Sequence, residues 1–230
     1  ISMILQDPMT SLNPVFNIGN QVSELFRLHE HLSGTELRDR VVDVLSRVRI
    51  PNPEMRLNSY PHQFSGGMRQ RVSMAMGIGC NPQLLIADEP TTALDVTIQA
   101  QLLALLRVIQ QESGMSIILI THNLGIVARL CDRVCVMYAG RVVEEGSMKR
   151  IFKDPAHPYT KALMNSVPRL GSKEKKLYAI EGQPPNLLTL PPGCSFAPRC
   201  EFVTEKCREA YPPISTIGAD GYVRCWLQEQ

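Results

Sequence analysis

The sequence predicts an α/β fold, and three observations predict it. From Leu84 onward, short apolar runs at Leu84 to Asp88, Ser116 to Thr121 and Val134 to Met137 alternate with helix-length stretches at Ile98 to Glu112 and Leu124 to Cys131. Such alternation builds a parallel sheet covered by helices. Ahead of it, apolar residues recur at helical spacing between Val22 and Val48, which marks a helical subdomain. Beyond Ser166 the texture turns to proline and cysteine, with little regular structure of its own.

Taken in order, Ile1-Ser2-Met3 opens in what reads as a buried strand. Val22, Leu25 and Phe26, then Leu37, Val41, Val44, Leu45 and Val48, give two short amphipathic helices broken at Ser33-Gly34. Pro51, Pro53 and Pro61 interrupt the pattern, and a helix rich in Met and Ala is expected from Met68 to Cys80, just after two glycines. Tyr138-Ala139-Gly140-Arg141 turns into Val142 to Gly146 as an antiparallel hairpin. A Lys/Glu-rich stretch at Lys173 to Lys176 then leads into Pro184, Pro185, Pro191, Pro192, Pro198, Pro212 and Pro213. The expected division is a domain at 1–165, with a helical part at about 7–80 and a strand-helix core at about 81–150, followed by an extension at 166–230.

With 230 residues, 44% hydrophobic and 20% charged, the chain can bury a core without staples, and nothing in its composition suggests disorder. A formal net charge of +2 gives no electrostatic support for a nucleic-acid partner. No apolar run approaches the roughly 20 residues that cross a bilayer. The opening has neither an initiator Met nor a signal pattern, and we expect it to be a truncation. Seven cysteines, an odd number, do not make a secreted disulfide scaffold, so a reducing cytosol is expected. Cys80, Cys131 and Cys135 are expected to be small buried core residues.

The chemistry concentrates at Leu84-Leu85-Ile86-Ala87-Asp88-Glu89, a buried strand ending in two carboxylates. Successive side chains at a strand's end point to opposite sides, so Asp88 can reach a metal shell while Glu89 faces an attacking water as general base. Alone, this could equally be an acidic turn after a core strand. It is preceded, however, by Phe64-Ser65-Gly66-Gly67-Met68-Arg69-Gln70-Arg71, a Ser-Gly-Gly turn that opens a helix. Glycines admit a phosphate close to the backbone, and a helix N-terminus offers it free N–H groups and positive potential.

Together these resemble the Walker B strand and the signature motif of ABC transporter ATPases, with Met68 where the signature usually has Gln. Gln6, Thr92-Ala93-Leu94-Asp95 and His122 follow in the family's order and resemble its Q-loop, D-loop and switch histidine. Gln6-Asp7-Pro8-Met9-Thr10-Ser11-Leu12-Asn13-Pro14, Tyr60-Pro61-His62-Gln63 and His157-Pro158-Tyr159-Thr160 narrow the likeness to the oligopeptide and dipeptide (peptide and nickel) importer branch, over essentially the whole chain. The resemblance implies a P-loop NTPase-like ABC nucleotide-binding domain that uses ATP and Mg2+. In it Glu89 is the general base, Asp88 and Gln6 serve magnesium and water, and His122 contacts the γ-phosphate. Ser65, Gly66 and Gly67 complete a partner's site, and Asp95 lies on the dimer interface.

The implied partners are a second ATPase subunit, identical or paralogous, two membrane permease subunits and an external substrate-binding protein, at the cytoplasmic face of the cell membrane. A nickel importer, a non-transport ABC ATPase and a degenerate, non-hydrolysing module are the alternatives. No G-x-x-x-x-G-K-[ST] run is present, so the phosphate loop is expected upstream and these residues are expected to be inactive alone.

Cys194, Cys200, Cys207 and Cys225 are separated by five, six and seventeen residues, which fits neither a zinc ribbon nor the common ferredoxin run. Four thiolates suit a [4Fe-4S] cluster or tetrahedral zinc, and free or oxidised thiols stay open. Gly193-Cys194-Ser195-Phe196-Ala197-Pro198-Arg199-Cys200 is similar to the peptide-importer extension, and that resemblance favours the cluster.

Overall fold

The computed structural model describes residues 1–7, 11–92, 94–167, 179–219 and 221–229. Pro8, Met9, Thr10, Ala93 and the Lys173 to Lys176 run lie outside the described residues. Packing divides the chain into Ile1–His122 and Asn123–Gln230.

In the first unit, β1 (Ser2–Ile4), β2 (Leu84–Asp88) and β3 (Ser116–Ile120) form a parallel sheet in the order β1-β2-β3. The register pairs Ile4 with Ala87 and Asp88 with Ile120, so all three strands end on one edge. Parallel pairing needs long crossovers, and helices supply them. Helix α1 (Ile18–His29) starts because Asn17 accepts a hydrogen bond from the Asn20 amide, and it buries Ile18, Val22 and Phe26 at four-residue spacing. The Ser33-Gly34 break holds: α2 (Gly34–Arg47) begins there and buries Leu37, Val41, Val44 and Leu45.

After the short α3 (Pro53–Arg56), α4 (Gly66–Ile78) is buried or half-buried along its whole length and packs against α1, α2 and β1. It begins two residues earlier than its Met68 start in the sequence reading, because Ser65 caps it. Phe26, fully buried in this core, is worth about 3–5 kcal/mol against truncation to Ala. Helix α5 (Val96–Ser113) buries Leu102, Leu105, Leu106 and Ile109 and ends at Gly114, in the left-handed conformation with φ 68°.

The second unit carries α6 (Leu124–Leu130), β4 (Arg133–Tyr138), β5 (Arg141–Ser147), α7 (Met148–Lys153), α8 (Pro158–Ser166), α9 (Glu205–Glu209), β6 (Ser215–Ile217) and β7 (Gly221–Val223). Its sheet is antiparallel, in the order β4-β5-β7-β6. The strand at Val134 to Met137 therefore does not continue the parallel alternation. Only Ala139 and Gly140, with φ of 48° and 77°, join β4 to β5, and a two-residue turn with both φ positive makes a hairpin. The hairpin expected from the sequence is thus present.

The cysteine-rich tail is more regular than its proline content suggests. It lays β7 against the edge of β5, pairing Glu144 with Val223 and Glu145 with Tyr222, and so satisfies backbone groups that an open edge leaves unpaired. Beneath this sheet, Tyr138 packs on Tyr159 and Phe196 with ring centroids 4.6 and 5.3 Å apart.

Cys80, Cys131 and Cys135 are not core residues in full. Cys80 and Cys131 are half-buried, and Cys135 is exposed because β4 alternates and puts it on the outward face. Among the described residues, no helix is long and apolar enough to cross a membrane.

Candidate functional site

The common edge of β1, β2 and β3 gathers the residues expected to do chemistry. Gln6 is exposed two residues past β1, Asp88 ends β2, and His122 lies two residues past β3. Glu89, just past Asp88, holds a φ of 44° while its N–H donates to the Ile120 carbonyl at 2.9 Å. A left-handed backbone is costly for a non-glycine residue and is tolerated where its surroundings fix it. Here it turns the carboxylate back over the sheet edge. The Thr92 hydroxyl donates to Glu89 Oε2 at 2.7 Å, and Nδ1 of His122 lies 2.5 Å from Oε1. Burial acts to raise the Glu89 carboxyl, but hydrogen bonds from Thr92 and His122 outweigh it and hold the group below its ordinary value. The pairing of Glu89 with His122 joins two of the expected residues; Thr92 lay inside a motif but carried no role of its own.

Ser65, Gly66 and Gly67 open α4, where the Ser65 hydroxyl oxygen accepts the Met68 amide at 3.3 Å. A hydroxyl that accepts still has its proton to donate. Asp95 caps α5 through Oδ1, which accepts the Ile98 amide at 2.9 Å. Neither group is brought onto Glu89 by the contacts described.

In the second unit Cys194, Cys200, Cys207 and Cys225 line one largely apolar pocket, together with His157, Phe196 and Trp226. All four are free thiols. Backbone N–H groups of Phe196 and Ala197 bond to Cys194, that of Phe202 to Cys200 and that of Leu227 to Cys225, while the Thr204 hydroxyl lies 3.2 Å from the Cys207 sulfur. Burial pushes the Cys194 and Cys200 thiols up and the Cys225 thiol to about 11, so the pocket favours thiolates there only with a cation. Among the described residues no group of three or more Cys, His, Asp or Glu already stands ready around a metal position. The donor set suits a thiolate-bound group, while the sulfurs line the pocket without closing on a centre.

The close approach that brings these cysteines together depends on Gly193. The Cys194 amide donates to the Cys207 carbonyl at 2.8 Å, and a Cβ on Gly193 would come within 2.2 Å of that carbonyl oxygen.

Comparison with known proteins identifies the family. Residues 1–92 match the family model described as ABC transporter, and residues 143–207 the one described as oligopeptide/dipeptide transporter, C-terminal region. The chain is 54% identical over 231 residues to the dipeptide transport ATP-binding protein DppD of Bacillus subtilis (strain 168), covering 100% of this chain and 69% of that one. The chain belongs to the oligopeptide/dipeptide family of ABC transporter ATP-binding subunits. It is also 51% identical over 230 residues to the oligopeptide transport ATP-binding protein OppD of Haemophilus influenzae, with 100% and 71% covered.

Among solved structures this peptide-transporter subunit resembles cbiO1 of Clostridium perfringens, part of the ABC transporter complex cbiONQ. The TM-score is 0.58 at 34% identity over 66% of this chain and 59% of that one. It also resembles an ATP-binding cassette dimer in a post-hydrolysis state with ADP and Pi, at a TM-score of 0.55 and 28% identity over 64% and 62% of the two chains. In this ABC subunit, His157 was legible only as part of a family motif. Its place in the cysteine pocket had no sequence signal, because 36 residues separate it from Cys194.

Proposed function

We propose that this subunit hydrolyses ATP to power import of oligopeptides or dipeptides, with Glu89 as the general base. The single observation that carries the reading is the meeting of Glu89, Thr92 and His122 at the shared edge of the parallel sheet. There Asp88 and Gln6 serve Mg2+ and the attacking water, and His122 takes the γ-phosphate. Both Glu89 oxygens are engaged, Oε2 by Thr92 and Oε1 by His122. A phosphate that draws His122 away frees Oε1 to accept a proton from water. Ser65, Gly66 and Gly67 close over nucleotide held by a second ATPase subunit, Ser65 through its remaining hydroxyl proton, and Asp95 lies at that interface. Closure and reopening of the pair pass to two permease subunits at the cytoplasmic face of the membrane, fed by an external substrate-binding protein. The names of the relatives favour peptide over nickel as cargo.

The division into an ATPase domain at 1–165 and an extension at 166–230 belongs to the same reading. Cys194, Cys200, Cys207 and Cys225 hold a [4Fe-4S] cluster or zinc, supported by free thiols that face one pocket with hydrogen-bond donors aimed at them. When bound, such a group supplies metal–thiolate bonds that staple the proline-rich tail.

The 230 residues hold no lysine-bearing phosphate loop, so hydrolysis is tested with such a loop supplied ahead of Ile1 and the membrane partners present. The comparison is with Glu89→Gln. Loss of turnover by about 100-fold or more with ATP binding intact supports the reading. Equal turnover in the variant removes Glu89 as the base, and no turnover in either points to a non-hydrolysing module.

A further inference from the structure

We propose that His157 is the hydrogen-bond donor of the four-cysteine pocket, presenting its Nε2–H to a sulfur of the metal–thiolate group held there. The inference rests on the reading that the cysteines hold such a group.

His157 is 1% exposed, and its ring lines the pocket beside all four cysteines. Nδ1 accepts the Tyr159 amide at 3.0 Å, capping α8. A nitrogen that accepts an N–H carries no proton, so the neutral ring has its proton on Nε2. That Nε2 is buried with no hydrogen-bond partner among the described residues. A buried donor without an acceptor is costly, so an Nε2–H kept in this place calls for one. Among the other side chains that line the pocket, the acceptors are the four sulfurs.

The same geometry excludes His157 as a ligand. Coordination through Nε2 would need the proton on Nδ1, where the Tyr159 amide already points. The residue is also fixed from behind: its own amide donates to Glu144 Oε2 at 2.9 Å. Glu144 is fully buried and is held through Oε1 by Arg150 and the Ala156 amide, each at 2.8 Å. A donor so fixed steadies a thiolate and raises the potential of an iron–sulfur group.

The test uses the full chain purified anaerobically, loaded either with ferrous iron and sulfide or with Co2+, as wild type, His157→Asn and His157→Gln. Asn keeps an acceptor for the Tyr159 amide but is too short to reach the pocket, whereas Gln extends an N–H to about the position of Nε2. The expected result is Co2+ affinity weaker by about 10-fold or more in His157→Asn, near wild type in His157→Gln, and a lower cluster midpoint potential in the Asn variant. Equal affinity and potential in all three overturns the proposal. If His157→Asn does not fold, nitrogen NMR of the Cd2+-loaded wild type decides: a protonated, slowly exchanging Nε2 supports the donor role, and direct nitrogen–cadmium coupling overturns it. A wild type that takes up neither iron with sulfide, Co2+ nor Cd2+ sinks the underlying reading and this proposal with it. Metal uptake with no effect of His157 sinks the proposal alone.

Discussion

Nδ1 of His122 stands 2.5 Å from Oε1 of Glu89, and the His122 amide donates to the same oxygen at 3.3 Å. The contact joins the ends of β2 and β3, which the parallel register sets side by side. Glu89 and His122 therefore hold each other across the sheet edge.

His122→Ala removes that partner and, in the proposed mechanism, the γ-phosphate contact. Turnover should fall by about 100-fold or more while nucleotide binding persists. Because the two residues act as a unit, the double variant with Glu89→Gln should be hardly worse than either single one. Additive losses in a double-mutant cycle of kcat would show that they act separately.

Thr92→Val removes the donor to Oε2 and lets the Glu89 carboxyl rise toward its ordinary value of 4.5. A base works deprotonated, so the acid limb of the kcat/KM profile should move to higher pH. The sign for stability is the same: the folded group is depressed, so its contribution is present above pH 4.5 and lost as pH falls through the lowered value. An unmoved acid limb would remove Glu89 from the titration that limits turnover.

Glu144→Gln should destabilise the chain by about 3 kcal/mol, since it takes the counter-charge of the part-buried Arg150 guanidinium out of a fully buried position. Glu144 also accepts the amides of Ala156 and His157, so the loss should reach the pocket wall. Denaturant unfolding measures the first effect and Co2+ uptake the second. Loss below about 1 kcal/mol would show that water or the amide replaces the carboxylate.

Gly193→Ala forces a methyl group against the Cys207 carbonyl, which belongs to backbone and cannot swing aside. Cys194 and Cys207 should move apart, and metal uptake should drop while the Glu89 site still turns over. The measurement is metal content beside ATPase activity of the same preparation; unchanged content would mean that the two segments do not need this close approach.

Much of this could be read from the chain alone, for a physical reason. The helices at 18–47 and 96–113 follow from apolar spacing and from caps at Asn17 and Asp95, which are local properties. The Asp88-Glu89 strand end, the Ser-Gly-Gly helix entry and the Ala139-Gly140 turn are local in the same sense, since backbone geometry fixes which residue types they admit. The sequence by itself thus determined the elements, the family and the residues at the sheet edge. Only the tertiary structure decided that β4 leaves the parallel sheet, that β7 pairs with β5, that Thr92 bonds Glu89 and that His157 lines the cysteine pocket. These depend on contacts between residues distant in sequence, or on a backbone angle such as that of Glu89, and no periodicity along the chain encodes them.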